Sequence, residues 1–199
     1  IGKDSGLFPR CDVGRESDVE RAFGEVVEWV DGDPLDCLVN NAGIANPYAG
    51  KLEELALGDW QKWIDASLTA AFLVTRAALP LLRRAENASV TNISSTRAVM
   101  SEADTFAYAA AKGGLDALTH SLAVSLGPAI RVNAIHPGII GDSPFWASKP
   151  EGVLEQYERH TPGGKLATMA DVVDATQFLL RNRGVSAVNL PVDRGTVLM

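Results

Sequence analysis

Tyr108 and Lys112 stand four residues apart in a stretch with helical apolar spacing, which puts both side chains on one face. A phenol with a pKa of about 10 is a poor acid or base at neutral pH. A neighbouring ammonium favours the phenolate and moves that pKa toward the working range. Ser95 lies thirteen residues before Tyr108, at the end of an apolar run. Its hydroxyl can hydrogen-bond the same carbonyl oxygen that Tyr108 protonates. The three together fit proton transfer at the oxygen of a carbonyl or an alcohol. A lone Tyr-x-x-x-Lys is more often an exposed helix pair without a role, and the serine in register is what lifts this set above that reading.

The apolar pattern describes a scaffold that could bring them together. Residues 7–13 read as a strand. Ser17-Asp18-Val19-Glu20 reads as a capping box. It opens a helix in which Val19, Ala22, Phe23, Val26, Val27 and Val30 recur at spacings of three and four. Asp31-Gly32-Asp33-Pro34 stops it. Residues 35–40 form the next strand. Asp59 then caps a long helix with Trp60, Trp63, Ile64, Leu68, Ala71 and Phe72 on one side. Strands over 88–94, 130–136 and 187–192 alternate with helices over 105–126 and 171–180. Such alternation predicts an open, doubly wound α/β fold, a parallel sheet with helices on both faces, as a single domain over 1–199.

In folds of this kind ligands sit outside the carboxyl ends of the strands. Those ends carry Asp12-Val13, Asn40-Asn41-Ala42-Gly43, Ser94-Ser95 and His136-Pro137-Gly138. Each alone is ordinary turn chemistry. Together they gather small polar residues and glycines on one edge.

Composition narrows the function classes. Acids outnumber bases 25 to 18, a net charge of −7, and the pI is near 4.9. A surface that acidic repels phosphate backbones and anionic lipids, so neither nucleic acid nor a membrane is an expected partner. The most apolar stretch, 66–82, is interrupted by Ser67, Thr69, Thr75, Arg76 and Pro80, which is too polar for a spanning helix. Cys11 and Cys37 cannot form a disulfide framework, and reduced thiols imply a cytoplasmic setting. His120, His136 and His160 have no Cys or carboxylate partner at ligand spacing, so no metal site is expected.

With its motifs in this order, the chain resembles the short-chain dehydrogenase/reductase family, in the single-domain, non-extended branch. Asn40-Asn41-Ala42-Gly43 matches the family's NNAG motif, and Ser95, Tyr108 and Lys112 match its catalytic serine and YxxxK. Asn133-Ala134-Ile135-His136-Pro137-Gly138 is similar to N-x-[IV]-x-PG, and Leu190-Pro191-Val192-Asp193-Arg194-Gly195 to LxVDGG. The resemblance implies that Tyr108 is the general acid in reduction and the general base in oxidation. Lys112 would depress the tyrosine pKa and bind the nicotinamide ribose, and Ser95 would orient the substrate oxygen. Asn40, Ala42 and Gly43 would line the adenosine end of NAD or NADP, with Asp12 and Val13 beside the adenine. Pro137, Gly138 and Ile140 would touch the nicotinamide.

Departures from the family pattern are equally specific. The resemblance implies an opening strand, a TGxxxGxG turn and a helix, and Gly2 and Gly6 do not supply them. The expectation is therefore a Rossmann-like domain without its N-terminal βαβ portion, and with it goes the residue that selects NAD or NADP. Ser67 stands where the family places a catalytic Asn, and could still organise a water relay. Asp142 stands where a threonine would approach the cofactor, with Ser143 as a substitute. Arg194 replaces a glycine and is expected to alter subunit packing. Residues 141–162 are the expected substrate loop. Its Phe145, Trp146 and Tyr157 either build an apolar pocket or fasten the loop to the body. Trp60 and Trp63 are expected in the core or in a subunit interface, since the resemblance implies homodimers or homotetramers. The function expected is an NAD(P)-dependent alcohol dehydrogenase or carbonyl reductase acting on an apolar ketone or secondary alcohol. The alternative is a catalytically inactive member that serves as an interaction or oligomerisation partner.

Overall fold

The computed structural model describes residues 6–148, 150 and 152–198. Among them, β1 (Cys37–Asn40), β2 (Ala88–Ile93), β3 (Ile130–Pro137) and β4 (Asn189–Val192) form one sheet in the order β1-β2-β3-β4, every pair parallel. Helix α1 (Glu16–Val30) precedes β1. Between β1 and β2 run α2 (Leu57–Ile64) and α3 (Ala70–Leu82), joined by a π turn over Asp65–Thr69. Helix α4 (Phe106–Leu126) links β2 to β3, and α5 (Val153–Arg159) and α6 (Met169–Arg181) link β3 to β4. The α/β fold with a parallel sheet is as expected from the alternating pattern.

Successive residues from Ala88 to Asn92 are buried, which requires cover on both faces of the sheet. On one face Val90 and Val132 pack with Ala78 and Leu82 of α3 and Ala123 of α4, flanked by Phe23 of α1. On the other lies α6. The Arg131 guanidinium donates to the carbonyls of Leu179, Leu180 and Val185, satisfying the carboxyl end of that helix. Leu82 has no exposed surface. Leu82→Ala is expected to cost about 3 kcal/mol through lost transfer energy and the cavity left behind, read as a lowered denaturant midpoint.

Four expectations need correction. Residues 7–13 are not a strand, because a strand exists only in a ladder and none of the described strands pairs with them. Instead Asp12 Oδ1 accepts from the Gly14 amide at 3.1 Å and the Asp12 carbonyl accepts from Arg15 at 3.0 Å. That turn launches α1 at Glu16, so Ser17 falls inside the first turn and its capping box does not form. Similarly, α2 starts two residues before Asp59, on Ala56, and Asp59 pairs with Lys62 at 2.6 Å instead of capping. Finally, Leu57–Leu82 runs as one helical rod with a mean hydropathy of 1.3, long and apolar enough to cross a membrane by length and composition. Its buried Ala70, Ala71, Leu73, Ala78, Leu81 and Leu82 make it a core helix of the sheet. The expected stop of α1 is present: Asp31 and Gly32 take φ of 43° and 95°, the left-handed region that ends helices.

Candidate active site

Strand β2 delivers Ser95 and helix α4 delivers Tyr108 and Lys112. Beyond Ile93 the chain enters a short 3-10 turn (Thr96–Ala98), where Ser95 Oγ accepts from the Arg97 amide at 3.1 Å. The same turn carries the Ser95 hydroxyl to Tyr108, and the two hydroxyls are hydrogen-bonded. Lys112 lies one helical turn on, with Nζ 5.7 Å from the centre of the Tyr108 ring, and donates to the Ile93 carbonyl at 2.7 Å. The three residues chosen for chemistry therefore meet.

Their electrostatics differ from the expectation in one respect. Burial pushes the Tyr108 phenol above its ordinary value, while the Ser95 hydrogen bond and the Arg97 guanidinium pull it down. The Lys112 amine donates to the Ile93 carbonyl and stands 5.7 Å from the centre of the phenol ring. Burial itself pushes Lys112 down to about 8, against the pull of Asp116, and its amine is aimed at a β2 carbonyl. The lysine thus keeps most of its charge at neutrality, begins to lose it near pH 8, and aims it at a carbonyl.

The π turn brings in Ser67, 4% exposed, whose hydroxyl has no hydrogen-bond partner among the described residues. Such turns interrupt helices preferentially at functional sites. A Cβ placed on Gly43 would lie 3.4 Å from Ser67 Oγ and 3.9 Å from Lys112 Nζ. Gly43, Ser67 and Lys112, from three different segments, converge on one point.

A cleft of about 600 Å³ opens at the carboxyl ends of the strands. Gly43, Ser95, Tyr108, Lys112, Pro137, Gly138 and Ile140 line it, and Ile44, Pro47 and Ile139 add apolar surface. A second cavity of about 80 Å³ is lined by Val13, Asn40, Ala42 and Ser67, and Lys112 lines both. Asp12 lines neither; its exposed carboxylate is held by the Gly14 amide. Asn40 is committed to a polar ladder across the sheet. It donates to Thr75 at 3.1 Å and to Asn92 at 2.8 Å, and Asn92 donates on to Thr119 of α4 at 2.8 Å.

Gly138 is required by close approach. A Cβ there would fall 2.6 Å from Asp193 Cβ and 2.9 Å from its Cα. Asp193 cannot retreat, because its carboxylate accepts from the Gly195 and Val197 amides at 2.9 and 2.7 Å. Gly138→Ala is expected to displace the cleft wall at a cost of about 1–3 kcal/mol. A lowered melting temperature would be the signature.

The loop aromatics line the cleft and fasten the loop at once. Trp146 packs edge-on to Phe145 at 5.0 Å, lies 5.8 Å from Tyr157, and donates its indole N–H to the Ile140 carbonyl at 2.7 Å. Tyr157 bonds Tyr48, Tyr48 donates to Glu102 at 2.8 Å, and Glu102 is ion-paired with the buried Arg97. Neither Tyr48, Arg97 nor Glu102 belongs to a motif, and only the fold shows that they meet. Asp142 turns its carboxylate to the Met169 amide at 2.8 Å, on the first turn of α6. Ser143 faces the cleft. Arg194 adopts φ of 58°, where its motif places a glycine, and pairs with Asp171 at 2.9 Å, holding that carboxyl down to about 2. Trp60 and Trp63 are half-buried, and Trp63 donates to the Asn46 carbonyl at 3.1 Å. His120 is exposed and His160 donates Nδ1 to Gln156 at 2.7 Å. His136, without a partner at metal-ligand spacing in the sequence, meets Asp116 across the fold at 2.9 Å. No spacing in the sequence signals that contact, because the two residues lie on different elements.

The family described as enoyl-(acyl carrier protein) reductase matches residues 2–197. The chain belongs to the short-chain dehydrogenase/reductase family. It is 35% identical over 198 residues to trans-4-hydroxycyclohexanecarboxylate dehydrogenase of Sinomonas cyclohexanicum, covering 98% of this chain and 72% of that one. It is 33% identical over 197 residues to the 3-alpha-(or 20-beta)-hydroxysteroid dehydrogenase of Mycobacterium tuberculosis, with 98% and 72% covered. Among solved structures, ElxO with NADP bound superposes with a TM-score of 0.86 at 27% identity, covering 97% of this chain and 79% of that one. Membership in this family of oxidoreductases implies a nicotinamide cofactor, and the residues present fit its nicotinamide–ribose half. Gly43, expected at the adenosine end, instead leaves a cradle beside the buried Ser67 hydroxyl and the Lys112 amine, near Tyr108.

Proposed function

We propose that this protein is an NAD- or NADP-dependent alcohol dehydrogenase or carbonyl reductase acting on a ring ketone or the corresponding secondary alcohol. The observation that carries this reading is the hydrogen-bonded Ser95–Tyr108 pair, with Lys112 one turn away, facing a largely apolar cleft. The two relatives named above, one acting on a hydroxycyclohexane acid and one on a hydroxysteroid, support an alicyclic substrate. Phe145, Trp146 and Tyr157 offer the flat apolar surface such rings pack against.

When bound, the nicotinamide supplies or accepts the hydride. The chain's own residues handle orientation and the proton. Ser95 donates to the substrate oxygen and stabilises the charge that develops on it. In reduction Tyr108 delivers its proton to that oxygen; in oxidation its phenolate removes the proton from the alcohol. Lys112 and Ser67 line the point where the ribose hydroxyls would bind, and Pro137, Gly138 and Ile140 wall the nicotinamide side. The half-buried, unpaired thiols Cys11 and Cys37 support a cytoplasmic location. Exposed apolar residues on the helices, Phe72 and Val124 among them, support a homo-oligomer, which light scattering of the purified protein would test.

The direct experiment mixes the protein with NADH or NADPH and cyclohexanone-type ketones, and follows loss of the reduced nicotinamide. Turnover with one dinucleotide is expected. No turnover with either, on any ring ketone, would sink the proposal. A pH series adds a sign. Tyr108 is raised by burial, so oxidation, which needs its phenolate, should climb with pH. Reduction should be favoured at lower pH and fall as Lys112 loses its proton near pH 8.

A further inference from the structure

Asp116 and His136 lie behind the cleft and take no part in the steps above. His136 sits in β3 immediately before Pro137, and its Nε2 donates to Asp116 Oδ1 at 2.9 Å. Both are buried, 3% exposed for His136 and 9% for Asp116. Asp116 lies one helical turn beyond Lys112 on the same side of α4. A charged group at that depth needs a hydrogen-bond partner and an opposite charge near it to offset its lost hydration. The imidazole N–H supplies the first and Lys112 the second.

The groups around Lys112 leave Asp116 as its countercharge. From β2 comes the Ile93 carbonyl, from the π turn the Ser67 hydroxyl, and from the loop after β1 the backbone of Gly43, all uncharged. From α4 itself come Tyr108, kept protonated by burial, and Asp116. Strand β3 contributes His136, through Asp116. Arg97, on the 3-10 turn, bears on Tyr108 and is neutralised by Glu102. Burial alone drives Lys112 toward the neutral amine, and Asp116 is what opposes it.

We infer that Asp116, held in place by His136, is a positioning residue of this centre whose buried carboxylate keeps Lys112 charged. The inference deepens the proposed dehydrogenase reading, and rests on that reading only for its kinetic consequence. It also gives the Asp116–His136 bond a second effect: it ties the helix carrying Tyr108 and Lys112 to the strand that ends in the Pro137-Gly138 wall.

The test separates charge from scaffolding. Asp116→Asn keeps the shape and an oxygen that can accept from His136, but removes the charge. In protein carrying isotope-labelled lysine, the Lys112 signal, identified by its loss in Lys112→Arg, is titrated by NMR. The Lys112 midpoint in Asp116→Asn is expected at least about one pH unit below that of the unaltered protein, a tenfold change in the amine's proton affinity. The falling limb of ketone reduction should move down the pH scale with it. His136→Phe strips the carboxylate of its donor and should shift the midpoint the same way, whereas His136→Gln, which keeps an N–H, should restore part of it. If both Asp116→Asn and His136→Phe lower the melting temperature but leave the Lys112 midpoint unmoved, the pair is only a brace and the inference is overturned. If the midpoint moves while even the unaltered protein reduces no ketone, the inference holds and the proposed activity fails. Should Asp116→Asn not fold, the His136 variants decide the question by the same titration.

Discussion

Tyr108→Phe is expected to lower turnover in both directions by about 10²–10⁴-fold, with little change in dinucleotide affinity. The substitution removes one oxygen and leaves the ring, so the 5.7 Å contact with Lys112 and the packing of α4 persist. What disappears is the group that the proposed mechanism uses as proton donor and acceptor at the substrate oxygen. No other group beside Ser95 can take over: Lys112 is turned to the Ile93 carbonyl, and Arg97 is a guanidinium paired with Glu102. Stopped-flow binding of NADH or NADPH alongside steady-state rates would separate the two effects. A variant retaining more than about a tenth of native turnover would remove Tyr108 from the proton path.

The second large effect belongs to Ser95. Ser95→Ala should cost about 10²–10³ in kcat, the usual loss when a preorganised donor to developing charge is removed. A displacement of the pH profile should accompany the loss. Ser95 pulls the phenol of Tyr108 down against burial, so without it the Tyr108 pKa rises. The ascending limb of alcohol oxidation would then move to higher pH, while the falling limb of ketone reduction, which follows Lys112, would stay in place. Ser95→Thr keeps the hydroxyl and should recover part of the rate. A profile unmoved in Ser95→Ala would mean the serine contacts substrate without tuning the tyrosine.

Much of this protein is legible in its amino-acid sequence, and the reasons are local. Apolar runs broken by helical spacing require crossovers, so the parallel order of β1 to β4 follows from chain connectivity. Tyr108 and Lys112 share a face because four residues make about one helical turn. The detail of helix starts and of the first apolar run is not legible in the same way. Ser17 and Asp59 have capping chemistry, yet the turns that precede them, at Asp12-Gly14 and Ala56, set the first helical residue. Residues 7–13 have strand composition without a ladder, and composition cannot supply a partner.

The sequence by itself determined the fold class, the Ser95–Tyr108–Lys112 set and the edge on which it lies, because periodicity and short-range spacing are properties of the chain. Only the tertiary structure decided the charges. Whether Lys112 depresses the phenol depends on the distance and aim of an amine held by Ile93, and on burial that no spacing reveals. The same is true of contacts between distant segments. Tyr48 meeting Glu102, Ser67 meeting Gly43, and Asp116 meeting His136 twenty residues away all arise when crossovers stack separate segments against one sheet end. Solvation and long-range proximity are set by packing, and packing is a property of the folded molecule.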